Sequence, residues 1–339
     1  MRHKLITLLA IIKTNFEKYL NICKAYIQKH TGDFSEISFN IIIICIAGFL
    51  LLYYPIGAWM TEKIDRNTNI EISTSNPNES LTISAISYLI NQQVNDKIWT
   101  PNLPFFFPAA ILDNMPNYQL GMIDGISKFT NAFEKGIDKD VPNKENISPV
   151  YKAAVLLRYP GTVWMFSPNN KIKPVPSAAS QYRKARRQLI KYNETLAENK
   201  ISLKKNLPDL VAVLKKVNLS LAQSNNQISS QIRESSSDWI DWSADDIFYY
   251  NQGKTYAYAI LLKALGQDYK EIIVKHNQYQ NWVSLTKALE RACQIQPSVI
   301  CNGELSSITA PNHLAYLNGH ILRARYAIEK ITAKLISDK

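Results

Sequence analysis

The clearest hydrophobic pattern lies near the N-terminus, where residues 41–60 carry no charge and are rich in isoleucine, leucine and aromatic residues. At about 1.5 Å per helical residue, this run can cross a hydrocarbon core about 30 Å thick. Tyr53, Tyr54 and Trp59 lie toward its C-terminal end, and aromatic rings favour the interfacial level of a bilayer. We therefore predict a transmembrane anchor over residues 38–60, with a buried core helix as the alternative.

The position of this run predicts whether it is cleaved, and its flanking charges predict its orientation in the membrane. A cleaved signal peptide has a shorter apolar region closer to the start, so we expect the segment to be retained. Residues 1–37 contain six basic and three acidic residues, whereas residues 61–80 contain two basic and four acidic residues. By the positive-inside rule, the N-terminus is expected in the cytoplasm and the bulk of the chain in the periplasm of a bacterium, anchored in the inner membrane by a single pass.

Residues 1–37 show a second amphipathic pattern. Between residues 5 and 27, apolar side chains recur on one helical face, and five lysines within or beside this stretch lie outside that face: Lys4, Lys13, Lys18, Lys24 and Lys29. Such a basic helix can lie on the anionic cytoplasmic leaflet, or it can pair with a partner or with itself. The pattern leaves both alternatives open.

After a polar linker predicted over residues 61–80, helical periodicity dominates residues 81–337. One exception is residues 101–108, whose three prolines favour extended backbone. This segment contains Phe105, Phe106 and Phe107, which must pack against the domain core, a partner or the bilayer surface. Packing in the core is the default expectation, and a partner makes these phenylalanines candidate interaction residues.

The strongest 3–4 apolar repeat runs through residues 177–232 and is interrupted near Pro208. Because proline is tolerated in the first turn of a helix, the pattern predicts a long antiparallel helical hairpin. Further helices are predicted from Ser243 to about Gly266, around Trp282, and from Leu314 to Leu335. We therefore expect a mainly α protein, with one transmembrane helix and an all-α periplasmic bundle.

Composition supports a folded helical chain. Hydrophobic residues make up 46% of the 339 residues, and the chain contains only 11 glycines and 15 prolines. The formal net charge is +11, and Arg183, Arg186 and Arg187 cluster on the predicted hairpin. This positive field would attract anionic lipid headgroups or an acidic protein, whereas nucleic acid is not expected as a partner outside the cytoplasm.

The residues that could carry chemistry are few. Cys293 and Cys301 could form a disulfide in an oxidising compartment or remain free thiols, and no metal or cofactor site is predicted because no second Cys/His pair has ligand spacing. No phosphate loop, nucleophile elbow or metalloprotease motif occurs. The weak catalytic candidates are Asp245, Asp246 and His313, and acidic residues in a first helical turn are also routine partners of the helix dipole.

Several short motifs resemble a known family. They are Leu112-Asp113-Asn114-Met115-Pro116-Asn117 with Gly121, the segment from Trp242 to Tyr249, Asn302-Gly303, and Asn312-His313-Leu314 with Arg323-Ala324. In combination, across residues 80–335, they resemble the bacterial domain-of-unknown-function family numbered 2333. The resemblance implies a Gram-negative inner-membrane protein with one N-terminal anchor and a helical periplasmic domain, and it implies no activity.

Three functional hypotheses follow. The first is a non-enzymatic scaffold or assembly protein of the envelope that binds membrane lipids and either a protein partner or a second copy of itself. The second is an envelope hydrolase that acts on cell-wall or lipid material. The third is a lipid-binding module, whose sign would be an apolar cavity of lipid size.

Overall fold

A computed structural model gives the arrangement of residues 36–137, 148–167, 170–234, 242–297, 299–303 and 311–337, and of residues 17, 18, 21, 22 and 25. These described residues are mainly α-helical, which confirms the predicted class at that level. The predicted amphipathic helix of residues 1–37 lies largely outside them. Contacts divide the chain into two compact units, residues 1–57 and residues 58–339.

The helices follow one another along the chain with short connections. They are α1 (Glu36–Thr61), α2 (Leu81–Val94), α3 (Asn114–Ile137), α4 (Pro149–Leu157), α5 (Ala178–Ala197), α6 (Leu207–Glu234), α7 (Trp242–Asp268), α8 (Lys270–Lys275), α9 (Tyr279–Cys293) and α10 (His313–Ser337). A 3-10 turn covers Pro108–Ile111, and the strands β1 (Phe166–Ser167) and β2 (Asn170–Pro174) form a short antiparallel hairpin. The sequence patterns did not predict this hairpin.

Helix α1 contains the predicted apolar segment. Its portion Ile42–Thr61 has a mean hydropathy of 2.0 and almost entirely exposed side chains. In the described part of the chain, it is the one helix long and apolar enough to cross a membrane. This is consistent with a single membrane span or with a signal sequence.

Helix α7 is the central element of the second unit. Its residues 251–262 are all buried or nearly so, because α2, α3, α9 and α10 pack around it. The most extensive contact is with α3, and the two helices run in the same direction: Asn117 contacts Asp246, and Asp124 pairs with Lys254 eight residues further along α7. Lys254 is itself buried, at 3% exposure, and its Nζ lies 2.9 Å from the Asp124 carboxylate.

Two glycines allow α3 and α7 to approach closely. A Cβ atom added at Gly121 would overlap the carbonyl oxygen of Tyr250, and one added at Gly253 would overlap the carbonyl oxygen of Tyr118. Each glycine therefore lies against the backbone of the other helix, where no side chain can be accommodated. This glycine crossing fixes the spacing of the two central helices.

The predicted antiparallel hairpin of residues 177–232 is wrong in its packing. Both helices form, as α5 and α6, and their predicted apolar stripes are buried. The two helices do not lie side by side, because α5 packs against α2 and α4 while α6 packs against α3 and α10. An apolar stripe predicts which face is buried, but it does not specify which helix covers that face.

Residues 62–80 lack helix or strand, as expected of a linker, but they are bound to the body. The hydroxyl of Tyr118 donates to the carbonyl of Asp65 at 2.7 Å, and that of Tyr256 donates to the carbonyl of Asn67 at 3.2 Å. The Lys263 ammonium donates to the carbonyl of Thr68 at 2.9 Å. Helices α3 and α7 therefore hold the backbone of this segment, which we call the docked segment.

The glycine crossing generates a stability prediction. We expect Gly121→Ala or Gly253→Ala to lower the free energy of unfolding by about 3 kcal/mol or more, because the new methyl group meets backbone that cannot rotate away. Chemical denaturation of the full chain in detergent, followed by circular dichroism, measures this change.

Gly319 in α10 provides the matched control. A Cβ added there meets nothing within 4 Å, so Gly319→Ala should leave stability unchanged or raise it by up to about 1 kcal/mol through helix propensity. Equal effects at all three glycines would contradict the importance of the crossing.

Candidate functional site

The first two family-like motifs meet in space at the N-terminal ends of α3 and α7. The side-chain amide of Asn117 donates to Asp246 at 2.6 Å and to the carbonyl of Asp113 at 3.0 Å. The amide of Asn114 donates to Glu62, the residue directly after α1, at 3.3 Å. Four carboxyl groups surround these amides, and we call this cluster the acidic junction: Glu62, Asp113, Asp245 and Asp246.

The pKa values of two carboxyl groups in the junction are raised. Partial burial, followed by the charges of Asp113, Asp246 and Glu62, raises the pKa of Asp245 to about 7. Burial and Asp113 also raise the pKa of Asp246, although its hydrogen bond from Asn117 opposes the rise. A carboxyl whose pKa is raised to near neutrality by burial and by neighbouring acidic residues is a pattern that general acid–base catalysis uses.

Tyr249 and Arg66 also interact electrostatically with this cluster. Burial and the charge of Asp245 raise the pKa of Tyr249 to about 12, and Arg66 of the docked segment acts in the opposite direction. Among the described residues, no group of three or more His, Cys, Asp or Glu side chains has the geometry of a metal site. The side-chain amides of Asn114 and Asn117 and the backbone amide of Asn114 donate hydrogen bonds to acidic residues of the junction.

The sequence analysis missed Glu62, Arg66 and Asn117 as members of this cluster. Glu62 and Arg66 were assigned to a loose linker, and Asn117 was noted only as part of a motif. The available signal was the position of Glu62, which follows the uncharged run directly, and the pairing of asparagines with acidic residues in two separate motifs.

The other two motifs meet at the start of α10. Asn312 caps this helix, because its Oδ1 accepts from the amide of Ala315 at 2.8 Å, and its Nδ2 donates to Asn302 and to the carbonyl of Gly303. His313 accepts at Nδ1 from the amide of Cys301 at 3.0 Å, and burial lowers its pKa. These groups close the loop before α10.

The three catalytic candidates divide between these two places. Asp245 and Asp246 belong to the acidic junction, whereas His313 is bonded to Cys301. In the described ranges, no hydrogen bond or pKa perturbation joins His313 to either aspartate. The remaining motif residues are placed as helix starts: Trp242 is the first residue of α7, and Pro116 lies in the first turn of α3.

The suggested disulfide is not formed in the structure. Cys293 and Cys301 are both free thiols. Cys293 is fully buried at the end of α9, and burial raises its pKa well above the ordinary value. Cys301 is half-buried, with its sulfur directed toward the carbonyl of Val299. The free-thiol alternative therefore describes this structure.

The arginine cluster on α5 is not a single open surface. Arg183 donates from Nε to Asn95 at 2.9 Å and contacts the carbonyl of Val94, so it caps the C-terminal end of α2. Arg186 is half-buried, and Arg187 is exposed. Arg183 is exposed but is held by these contacts with α2, whereas Arg187 is exposed and makes no such contact with the described part of the chain.

The three phenylalanines expected by default in the core are exposed instead. The exposed fractions are 82% for Phe105, 52% for Phe106 and 38% for Phe107. The ring centroids of Phe106 and Trp164 lie 6.4 Å apart, so this segment contacts the residues directly before β1. The resulting surface is called the aromatic patch and comprises Phe105, Phe106, Phe107, Ile111, Trp164, Met165 and Phe166.

One surface groove combines apolar and charged lining residues. It has a volume of about 690 Å³ between α3, α4 and α6. Leu120, Ile123 and Leu157 contribute apolar surface, but charged side chains also line it: Asp124, Lys128, Lys135, Arg158 and Lys216. The groove is therefore amphiphilic, with an excess of positive charge.

The structure defines a class of protein: mainly α-helical, with one apolar helix near the N-terminus and a helical body. The sequence motifs of the body lie together in pairs at the N-terminal ends of its helices. The model of one protein family, described as an uncharacterized protein conserved in bacteria (DUF2333), matches residues 202–337. This range includes the motifs from Trp242 onward and excludes the Asp113 motif. Searches of curated proteins and of solved structures gave no match.

The raised pKa of Asp245 predicts a pH dependence of stability. The unfolded carboxyl ionises near pH 4 and the folded one near pH 7, so the folded state binds more protons between these values and stability falls as pH rises through this window. Asp245→Asn should flatten this fall and exceed the wild-type stability at pH 8, as measured by thermal denaturation between pH 4 and pH 8.

The exposed acid Glu194 on α5 provides the control. Glu194→Gln should leave the pH profile of the wild type in place, because this side chain lies on the surface away from the acidic junction. An Asp245→Asn profile parallel to that of the wild type would contradict the assignment.

Proposed function

We propose that this protein is a membrane-anchored periplasmic scaffold or assembly protein of the bacterial envelope. The apolar helix and the charge difference between residues 1–37 and residues 61–80 support an inner-membrane anchor with a cytoplasmic N-terminus. The match of residues 202–337 to a family of bacterial proteins, together with the motif upstream of that range, supports membership of the whole body in this family.

The aromatic patch is the observation that carries the interaction role. Soluble surfaces rarely place several large apolar side chains together, and contiguous patches of this kind mark contacts with proteins or membranes. Aromatic residues are also the side chains that contribute most to binding at protein interfaces. The patch combines four aromatic rings in mutual contact, from two segments, with one further ring, Phe166, and the exposed side chains of Ile111 and Met165.

The body brings the patch close to the point where the chain leaves the apolar helix. Glu62 follows α1 directly and is bonded to Asn114, which lies only three residues after Ile111 of the patch. With α1 as a membrane anchor, a partner of the patch is expected at the membrane surface. An envelope protein embedded in or bound to the same bilayer fits this position.

Photo-crosslinking in intact cells tests the proposal. A photoreactive phenylalanine analogue is placed at Phe105 or Phe107, with Leu219 on α6 as a control position of comparable exposure. We expect a discrete crosslinked species from the patch positions only, containing either an envelope protein or a second copy of this chain.

The specificity of the crosslink is then examined with Phe106→Ser, which removes one patch ring. This variant should abolish the species obtained at Phe105 without lowering the melting temperature, because Phe106 is largely exposed. Recovery of uncrosslinked monomer at both patch positions, or the same species at Leu219, would contradict the scaffold proposal.

The acidic junction favours a second candidate, an envelope hydrolase. Asp245, whose pKa is raised to about 7, could donate a proton at neutral pH, and Asp246 is the more exposed of the two carboxyl groups. This hypothesis predicts that the purified chain degrades cell-wall material or membrane lipid, and that Asp245→Asn abolishes the activity. Product release that is equal for wild type and variant would exclude a catalytic role of Asp245.

A further inference from the structure

A groove between α9 and α10 has an unusual concentration of positive charge. Its volume is about 630 Å³, and one face of each helix lines it. Helix α9 contributes Lys287 and Arg291, which are one turn apart, and α10 contributes Arg323 and Lys330, which are two turns apart. No acidic side chain is among the residues that line this groove.

The charges of these four side chains are not compensated by neighbouring acids. Glu290, next to Arg291, pairs with Lys263 of α7. Glu329, next to Lys330, accepts from Asn218 of α6 at 3.1 Å and lies 3.6 Å from Arg325. All four groove cations are exposed, and within the described residues none of them forms an ion pair, so their charge is available to a ligand in the groove.

Small and partly polar side chains form the floor of the groove. Ala288 and Ala327 are buried there, and their small side chains leave room above them for a ligand. His320 is buried beside them at 3% exposure, and its Nδ1 lies 3.5 Å from Nη1 of Arg323. Burial lowers the pKa of His320, and the charges of Arg323 and Arg291 lower it further.

We propose that this groove is a binding site for a phosphorylated ligand that carries at least two negative charges. Arginine presents planar, paired donors that match phosphate oxygens, and lysine adds a compact charge. The Arg323–Lys330 separation along α10 is about 10 Å, so a single monoanion would leave part of the charge uncompensated.

The size and composition of the groove favour phosphate over an acidic peptide. A volume of about 630 Å³ is in the range of small-molecule sites, and its apolar lining is small: Ala288 and Ala327, with Leu322 and Tyr326 exposed beside them. A docked peptide helix requires a longer hydrophobic groove with large side chains. The exposed ring of Tyr326 at the edge could contact the organic part of the ligand, and the phosphate could belong to a soluble metabolite or to a lipid headgroup.

Titration calorimetry of the full chain in neutral detergent tests the site, with inorganic pyrophosphate as the probe. We expect saturable binding with one equivalent, weakened about tenfold or more by the double variant Arg291→Gln with Arg323→Gln, because two charge-assisted contacts are lost. The control Lys184→Gln with Arg187→Gln removes two positive charges from α5 and should bind pyrophosphate like the wild type.

Two further measurements identify the source of the phosphate and show whether the groove variant is still folded. Native mass spectrometry with added phosphatidylglycerol or phosphatidylcholine shows whether a lipid headgroup occupies the groove; selective loss of phosphatidylglycerol in the groove variant supports the proposal with a lipid source. The charge-preserving variant Arg291→Lys with Arg323→Lys should retain part of the affinity, which separates loss of charge from loss of fold.

Three outcomes would overturn the proposal. One is that neither pyrophosphate nor phosphatidylglycerol binds the wild type. Another is that binding weakens equally in the groove variant and in the α5 control, which indicates only a general effect of net charge. The third is that hexaglutamate binds through Arg291 and Arg323 more tightly than pyrophosphate, which assigns the groove to acidic peptides.

Discussion

The close approach of α3 and α7 at Gly121 and Gly253 is the constraint on which the rest of the body depends. Because these helices run in the same direction, their first turns lie together, and the acidic junction forms there from two distant parts of the sequence. The same pair supplies Tyr118 and Tyr256, which bind the docked segment. A change in helix spacing would therefore disturb the fold, the junction and the attachment of residues 62–80 at once.

Much of the fold follows from periodicity, but the partners of the helices do not. The apolar repeat between Leu314 and Leu335 predicts a helix with one buried face, and the apolar residues of that repeat are fully buried in α10, since a 3.6-residue period depends only on local sequence: Leu314, Leu317, Ile321, Ala324, Ile328, Ile331 and Leu335. The stripes of α5 and α6 were equally clear and were assigned to each other incorrectly. An apolar face does not specify which helix covers it. Glycines such as Gly121 and Gly253 do specify a partner, because they allow two backbones to approach closely, but this role is visible only in the structure.

The candidate site was predictable in its parts and not in its assembly. The motifs around Asp113 and Asp245 were identified separately, yet their meeting depends on the crossing, and Glu62 joins them through the docked segment. The phenylalanines were expected in the core because burial is the usual fate of such residues. They are exposed because their proline-rich segment lies on the surface, where Phe106 packs against Trp164 rather than into the body.

The central claim is that α3 and α7 hold the docked segment against the body instead of leaving a loose linker after α1. Limited trypsin digestion of the full chain measures this most directly, because Lys63 and Arg66 are the cleavable residues there and proteases need an extended, released backbone. The account predicts resistance at both sites, and faster cleavage in Tyr118→Phe with Tyr256→Phe, which lacks the two hydroxyl donors. Rapid release of the intact body from wild type, at a rate equal to that of the variant, would contradict it.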